Sequence, residues 1–292
     1  MDFDPRSSEL RRRRFRPIPV RLLVPNFITL LAICAGLTAI RLSTEGRVEL
    51  ALYAIVFAAF LDGIDGRIAR LIKGQSKFGA ELDSLADFVN FGVAPGLILY
   101  FWQLHELKNG GWIAAMVFAI SGGLRLARFN ASIDDPNKPA FAANYFTGVP
   151  APMGAITVLL PIYLTFLGLP KLPAVLTAVY TLLIAILMVS RLPVFSGKTA
   201  RMRVPPELVL PVFVSVVFFI ALLISYPWHI LSAGSALYLL SLPFGWKSYR
   251  EHARKAAGAS VTSAEVVPEA AGPTYSAAPA ASPDDERPER LH

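Results

Sequence analysis

The stretch FLDGIDGRIARLIKGQSKFGAELDSLADFVNFGVAP, residues 60–95, dominates the interpretation of this sequence. Two largely apolar segments flank a short polar turn, and they carry four aspartates: Asp62, Asp65, Asp83 and Asp87. Ionisable residues within membrane-length apolar segments are costly, and they usually face a bundle interior or a wet cavity. Four acids of one sign within 26 residues therefore predict a functional site.

The four aspartates converge if this stretch folds as a helical hairpin that turns near residues 73–76. Asp62 then lies at the depth of Asp87, and Asp65 at that of Asp83, because each helical residue rises by about 1.5 Å. Within each helix the two acids are three or four residues apart and share one face. The hairpin thus predicts a single cluster of carboxylates just below one membrane surface.

Clustered carboxylates cannot all remain charged without compensation. Two divalent cations would neutralise the four, and hard cations such as Mg²⁺ or Mn²⁺ prefer oxygen ligands and bridge carboxylates to phosphate oxygens. The histidines lie outside the hairpin, so a general base here is expected to be an aspartate. A structural ion-pair network with Arg67 and Arg70 is the alternative explanation of the acids.

The overall composition indicates a membrane protein. Of the 292 residues, 54% are hydrophobic and 17% are charged, and the mean hydropathy is +0.50. Soluble domains are about 45–50% apolar and about 25% charged, so a soluble enzyme and a disordered protein are both disfavoured. The single cysteine, Cys34, excludes an intrachain disulfide and a cysteine-based zinc cluster.

The apolar segments predict an all-α, polytopic membrane helix bundle. A membrane-spanning helix needs about 20 mainly apolar residues, and backbone polar groups in hydrocarbon must be paired within the helix. On that length the sequence predicts about eight transmembrane helices, at residues 21–41, 48–72, 80–102, 111–130, 149–169, 172–191, 207–226 and 228–246.

Charge along the chain predicts the orientation and the domains. With both termini in the cytoplasm, 24 of the 28 lysines and arginines fall on the inner side and four on the outer, as the positive-inside rule requires. The sequence predicts a basic cytoplasmic segment at 1–20, a membrane domain at 21–250, and a disordered Ala-, Ser- and Pro-rich tail at 251–292. Residues 10–22 are expected to lie on the membrane surface rather than on nucleic acid. We expect no cleaved secretory signal.

The acidic hairpin carries a family resemblance. The pattern Asp62-x2-Asp65-Gly66-x2-Ala69-Arg70-x8-Gly79-x3-Asp83-x3-Asp87 resembles, at every fixed position, the signature of the CDP-alcohol phosphatidyltransferases. The resemblance implies that the four aspartates hold a pair of divalent metal ions and that Asp87 also deprotonates the acceptor alcohol. It implies nucleotide binding by Gly66, Ala69, Arg70 and Gly79. The alcohol would attack the lipid-side phosphorus of a CDP-lipid and release CMP.

Three further stretches are similar to the phosphatidylserine synthase branch of that family: residues 25–29, residues 78–95, and residues 124–130 followed by 146–152. This similarity implies CDP-diacylglycerol and L-serine as substrates, although Ala32 stands where many relatives carry Asn. Arg125 or Arg128 could bind the serine carboxylate with two parallel hydrogen bonds, and Asn130 could bind the ammonium group. Both arginines could instead only anchor their helix, and a glycerol 3-phosphate or inositol phosphate acceptor would also suit arginine.

Other classes of function remain open at this point. A cation- or proton-coupled secondary transporter could use the acids as a relay, but the second half of the chain has no matching motif. A third hypothesis is that the protein is a non-enzymatic membrane scaffold. The resemblance also implies a homodimer. The compact chain and the expected lack of targeting segments favour a bacterial inner membrane, with membrane lipids around the protein. The charge distribution favours an active site facing the cytoplasm.

Overall fold

Helices make up most of the chain in a computed structural model, which describes residues 20–72, 74, 76–132, 145–190, 192–195 and 206–264. The α-helices are α1 (Val20–Thr44), α2 (Val48–Leu71), α3 (Lys77–Asp87), α4 (Ala94–Trp102), α5 (Asn109–Ala131), α6 (Ala151–Val158), α7 (Leu160–Phe166), α8 (Ala174–Val189), α9 (Pro206–Ser225) and α10 (Pro227–Ala264). A π-helical turn (Phe88–Val93) joins α3 to α4, and a 3-10 turn (Leu104–Leu107) precedes α5.

Two of the predicted helices are interrupted. The segment predicted at 80–102 begins at Lys77 and contains the π-helical turn. Pro95 follows this turn, and because proline has no backbone N–H it cannot donate the usual hydrogen bond to the carbonyl four residues earlier. The segment predicted at 149–169 is divided into α6 and α7. Pro161, in the first turn of α7, cannot continue the hydrogen bonds of α6.

A short β-ladder accompanies the helices. Strand β1 (Tyr145–Thr147) pairs antiparallel with β2 (Pro193–Phe195), and Phe146 lies opposite Val194. Both strands lie in stretches that the sequence assigned to loops. Their aromatic and β-branched residues favour extended backbone, and the pairing depends on a partner almost 50 residues away in the chain.

Four helical segments of the described chain are long and apolar enough to cross a bilayer: Leu23–Thr44, Lys77–Trp102, Asn109–Ala131 and Leu208–Ser225. The apolar helix α8 is shorter, at 16 residues. The described chain is therefore helical, as the sequence predicted, and its apolar helices are consistent with a membrane helix bundle.

The packing of α1 against α2 forms one wall of the functional region. Small buried residues, including Ala32 and Ala39 on α1 and Ala51 and Ala58 on α2, let helix backbones approach closely. Helix α1 also packs against α3 and α4. Helices α2 and α3 therefore both lie against α1.

Helix α5 packs against α8 and against the π-helical turn. At this crossing, a Cβ atom on Gly122 would lie 3.0 Å from the Cα atom of Gly92, so glycine on α5 is required for the close approach. Because the turn directly follows Asp87, this crossing brings α5 beside the acidic hairpin.

Helix α10 extends into the segment that the sequence predicts as the C-terminal tail. It remains helical through Ala264. The alanines of residues 251–264 favour helix, whereas the sequence predicted a disordered tail from residue 251. Residues 1–19 of the predicted basic segment and residues 265–292 of the predicted tail lie outside the described residues.

Candidate active site

The hairpin brings three of its aspartates together. Asp62 of α2 and Asp83 and Asp87 of α3 each place a carboxylate oxygen within 4.8 Å of the other two. Asp62 and Asp87 are in electrostatic range of each other. Two carboxylates so near one another need a proton or a cation between them. The expected convergence across the hairpin is therefore present in the structure.

Asp65 lies beside this group in a more enclosed position. Its side chain is 3% exposed, and it is in electrostatic range of Asp62 and Asp83. Its Oδ2 atom accepts a 2.6 Å hydrogen bond from the hydroxyl of Thr29 on α1. The fourth predicted metal ligand is thus near the cluster, with one oxygen already bonded to the protein.

The local sequence explains how the hairpin turns. Helix α2 ends at Leu71, and Gly74 closes the turn by donating its N–H to the carbonyl of Ala69 at 2.9 Å. Ser76 then caps α3, since its hydroxyl accepts the N–H of Gly79 at 2.9 Å, as N-cap serines commonly do. Lys73 and Gln75 of the predicted turn lie outside the described residues.

A cleft of about 290 Å³ opens beside Asp65 and Asp83. Its lining includes every position expected to bind the nucleotide, namely Gly66, Ala69, Arg70 and Gly79. Its size is close to the lower end of the range for small-molecule sites, about 300–1,000 Å³. The residues that the family resemblance groups by sequence are therefore also grouped in space.

Helix α1 contributes a wall of this cleft that the sequence analysis did not assign to the site. Pro25, Asn26 and Thr29 all line it. A Cβ atom on Gly79 would lie 2.8 Å from Oδ1 of Asn26, so glycine at that position lets α3 approach α1. The available signal was the similarity of residues 25–29 to phosphatidylserine synthases, which did not indicate a contact with Asp65.

The three residues expected to bind serine have different surroundings. Arg125 is 8% exposed, its Nε atom has no hydrogen-bond partner, and its guanidinium lies in electrostatic range of Asp87 and of Tyr238 on α10. Arg128 instead donates to the carbonyl of Val189 at 2.6 Å. Asn130 donates to the hydroxyl of Ser84 at 2.9 Å. Of the three, Arg125 is the one that the structure brings to the acidic cluster.

The acidic site fits divalent cations on two observations. Oδ1 of Asp65 and Oδ1 of Asp87 are both buried, and neither has a hydrogen-bond partner. Buried polar atoms are ordinarily bonded, so these oxygens are suited to a ligand. The donor set consists only of carboxylates. Hard divalent cations prefer such oxygen ligands, whereas softer metals prefer sulfur or nitrogen.

Comparison with known proteins agrees with this chemistry. The family model described as CDP-alcohol phosphatidyltransferase matches residues 22–192, and a second, CDP-alcohol phosphatidyltransferase 2, matches residues 207–243. The chain is 37% identical over 242 residues to a CDP-diacylglycerol–serine O-phosphatidyltransferase of Mycobacterium leprae (strain TN), covering 82% of this chain and 79% of the relative.

Relatives from other bacteria are also similar. A protein of the same name from Helicobacter pylori (strain ATCC 700392 / 26695) is 34% identical over 226 residues, which are 77% of this chain and 91% of that one. The one from Bacillus subtilis (strain 168) is 34% identical over 175 residues, which are 60% and 88% of the two chains. Since the first family model covers more than half of the sequence and contains the whole acidic hairpin, this chain belongs to the CDP-alcohol phosphatidyltransferase family.

Proposed function

We propose that this protein transfers the phosphatidyl group of CDP-diacylglycerol to the hydroxyl of L-serine, forming phosphatidylserine and releasing CMP. The observation that carries the proposal is the cleft between α1, α2 and α3, where the expected nucleotide-binding residues lie beside the aspartates. The names of the relatives in three bacterial genera support serine as the acceptor.

The aspartates are assigned to two divalent cations, Mg²⁺ or Mn²⁺. Asp62, Asp65 and Asp83 would hold them, and Asp87 would contribute a further oxygen. When bound, the cations supply neutralisation of the carboxylates and of the phosphate charge. The unpartnered oxygens of Asp65 and Asp87 support this assignment.

The chain's own residues position the nucleotide and the acceptor. Arg70 lines the cleft, and its guanidinium suits phosphate oxygens. Gly66 and Ala69 leave room on the same wall for a bulky ligand. Arg125, close to Asp87, is assigned to the serine carboxylate, which it can bind with two parallel hydrogen bonds. Arg128 and Asn130, which bond to protein groups, support the placement of α5.

Proton transfer completes the proposed reaction. Asp87 accepts the proton of the serine hydroxyl as the serine oxygen bonds to the lipid-side phosphorus. The bond from that phosphorus to the bridging oxygen breaks, and CMP leaves with the electron pair. Most of the rate enhancement would come from positioning and charge stabilisation, as in other phosphoryl transfers.

The membrane arrangement is proposed with the function. We assign eight crossings with both termini in the cytoplasm, a membrane domain over residues 21–250, and an active site facing the cytoplasm of a bacterial inner membrane. The distribution of lysine and arginine supports this orientation. A homodimer is included in the proposal, and light scattering on the detergent-solubilised protein measures it.

The test is an acceptor screen on the purified full-length protein. With CDP-diacylglycerol and Mg²⁺ or Mn²⁺, labelled L-serine should enter the lipid fraction while an equal amount of CMP is released. Asp83→Asn is the inactive control. Turnover with glycerol 3-phosphate or inositol phosphate but not with serine would reject the acceptor. Substrate flux across vesicles without CMP formation would reject the enzyme and favour a transporter.

A further inference from the structure

A threonine on α1 contacts the acidic site from outside the hairpin. Thr29 is 4% exposed, and its hydroxyl oxygen lies 2.6 Å from Oδ2 of Asp65 and 3.1 Å from the carbonyl oxygen of Pro25. Both neighbours are acceptors, so the hydroxyl must be the donor, and it has one proton to give. The shorter contact is the one to the carboxylate, and hydrogen bonds to charged acceptors are the stronger kind.

The two oxygens of Asp65 consequently have different roles. Oδ2 accepts the hydrogen bond from the Thr29 hydroxyl at 2.6 Å. Oδ1 is buried and has no partner. Thr29 and Asp65 both line the cleft that carries the nucleotide-binding positions. The carboxylate is thereby held from one side, while its remaining oxygen stays available within the site.

Another threonine on the same helix behaves in the ordinary way. Thr38 is exposed on α1, and its hydroxyl donates to the carbonyl of Cys34, four residues earlier, at 2.6 Å. That bond stays within one helix, as is usual for a helical threonine. The bond from Thr29 instead joins residues 36 positions apart and ends on a predicted metal ligand.

We infer that Thr29 is a positioning residue whose hydroxyl fixes the orientation of Asp65 for binding a divalent cation. The inference rests on the proposed function, because that proposal makes Asp65 a metal ligand. Ligating carboxylates are commonly held by outer hydrogen bonds, and loss of such a bond typically costs about 10- to 100-fold in metal affinity. Thr29 is not expected to touch the substrate's reacting atoms.

The experiment measures Mn²⁺ binding to the detergent-solubilised full-length protein without substrate, by the loss of the free-Mn²⁺ electron paramagnetic resonance signal. Thr29→Val keeps the side-chain shape and removes the hydroxyl. Thr29→Ser keeps the hydroxyl. Thr38→Val is the matched control on the same helix. Melting temperatures of the metal-free proteins show whether each variant is folded, and Thr29→Ala replaces Thr29→Val if the latter is not.

We expect Thr29→Val to weaken Mn²⁺ binding by about 10- to 100-fold, while Thr29→Ser and Thr38→Val remain close to the unmodified protein. Unchanged Mn²⁺ affinity in folded Thr29→Val would overturn the inference, and so would equal losses in Thr29→Val and Thr29→Ser, because the hydroxyl would then not be responsible. If the unmodified protein itself binds no Mn²⁺, the metal assignment of the proposed function fails together with the inference built on it.

Discussion

The acidic hairpin and helix α9 show opposite patterns of burial. In the hairpin the carboxylate of Asp65 is 3% exposed. In α9 no residue of Leu208–Ser225 is buried within the described chain, and Phe213 is 66% exposed. A soluble protein would show the reverse, because water favours exposed charge and buried apolar surface. The difference indicates a membrane protein in which apolar α9 faces lipid while the ionisable residues of the hairpin are enclosed by other helices.

The largest effect is expected inside the hairpin, at Asp87. Replacing it with Asn removes the proposed base while keeping the size of the side chain, so turnover should fall by about 10²- to 10⁴-fold. CDP-diacylglycerol binding should persist. CMP release and equilibrium binding measure the two effects. Glu81→Gln, which removes an exposed carboxylate from the same helix, is the control and should remain active.

If Asp87→Asn loses metal binding in proportion to its loss of turnover, the main contribution of Asp87 is its metal-ligating oxygen, and the test no longer supports it as the base. Comparable loss of turnover in Glu81→Gln would mean that net charge on α3, and not the cluster, governs the reaction. In that case the contrast between the enclosed acids and the rest of the chain would carry no information about function.

The next effect is expected at Arg125, the buried cation that faces the cluster from α5. Arg125→Ala should raise the KM for serine by about 10- to 100-fold, since hydrogen bonds to charged groups contribute about 1.5–3 kcal/mol. The KM for CDP-diacylglycerol should change little. Steady-state kinetics with each substrate varied in turn make the measurement.

Arg128→Ala is the matched variant for Arg125→Ala. It removes a 2.6 Å hydrogen bond to the carbonyl of Val189, so its main effect should be a lower melting temperature. An unchanged serine KM in Arg125→Ala, with a raised one in Arg128→Ala, would reverse the assignment of the two arginines.

A smaller effect is expected from two glycines of α2. Cβ atoms on Gly63 and Gly66 would meet no atom within 4 Å, so both alanine variants should fold. Only Gly66 lines the cleft, and its added methyl group should crowd the nucleotide. Gly66→Ala is expected to raise the KM for CDP-diacylglycerol by about tenfold, because overpacking typically costs about 1–3 kcal/mol of binding free energy. Gly63→Ala should leave this KM unchanged. An equal rise of the KM in both variants would contradict the proposed binding of the nucleotide beside Gly66.

The smallest effect is expected in α9. Phe213→Ala shortens an apolar side chain that is 66% exposed, and lipid chains are as apolar as the side chain they replace. Turnover in lipid nanodiscs should change by less than about twofold, because none of the α9 side chains that the structure describes lines the cleft. A large loss of turnover would show that α9 is not simply a lipid-facing helix.

Much of the site follows from local sequence. The aspartates converge because residues three or four apart share a helix face and a short polar turn reverses the chain, and both properties are visible in residues 60–95. The family resemblance, which depends on the same spacings, is confirmed by the comparisons. The turn chemistry of Gly74 and Ser76 is equally local.

The remaining site features depend on packing between distant elements. Nothing in the spacing of residues 25–29 indicates that Thr29 donates to Asp65, because that bond requires α1 to lie against α2. Arg125 and Arg128 are equivalent in sequence terms, and the crossing of α5 with α8 and the π-helical turn is what separates them. The β1–β2 ladder was missed for the same reason.

The sequence alone determined that this is a helical membrane protein with one acidic hairpin, since hydropathy and helical periodicity are properties of neighbouring residues. The tertiary structure alone decided which side chains from α1 and α5 complete the site. Side-chain direction and helix crossing depend on contacts between segments that are far apart in the chain, and local patterns do not record those contacts.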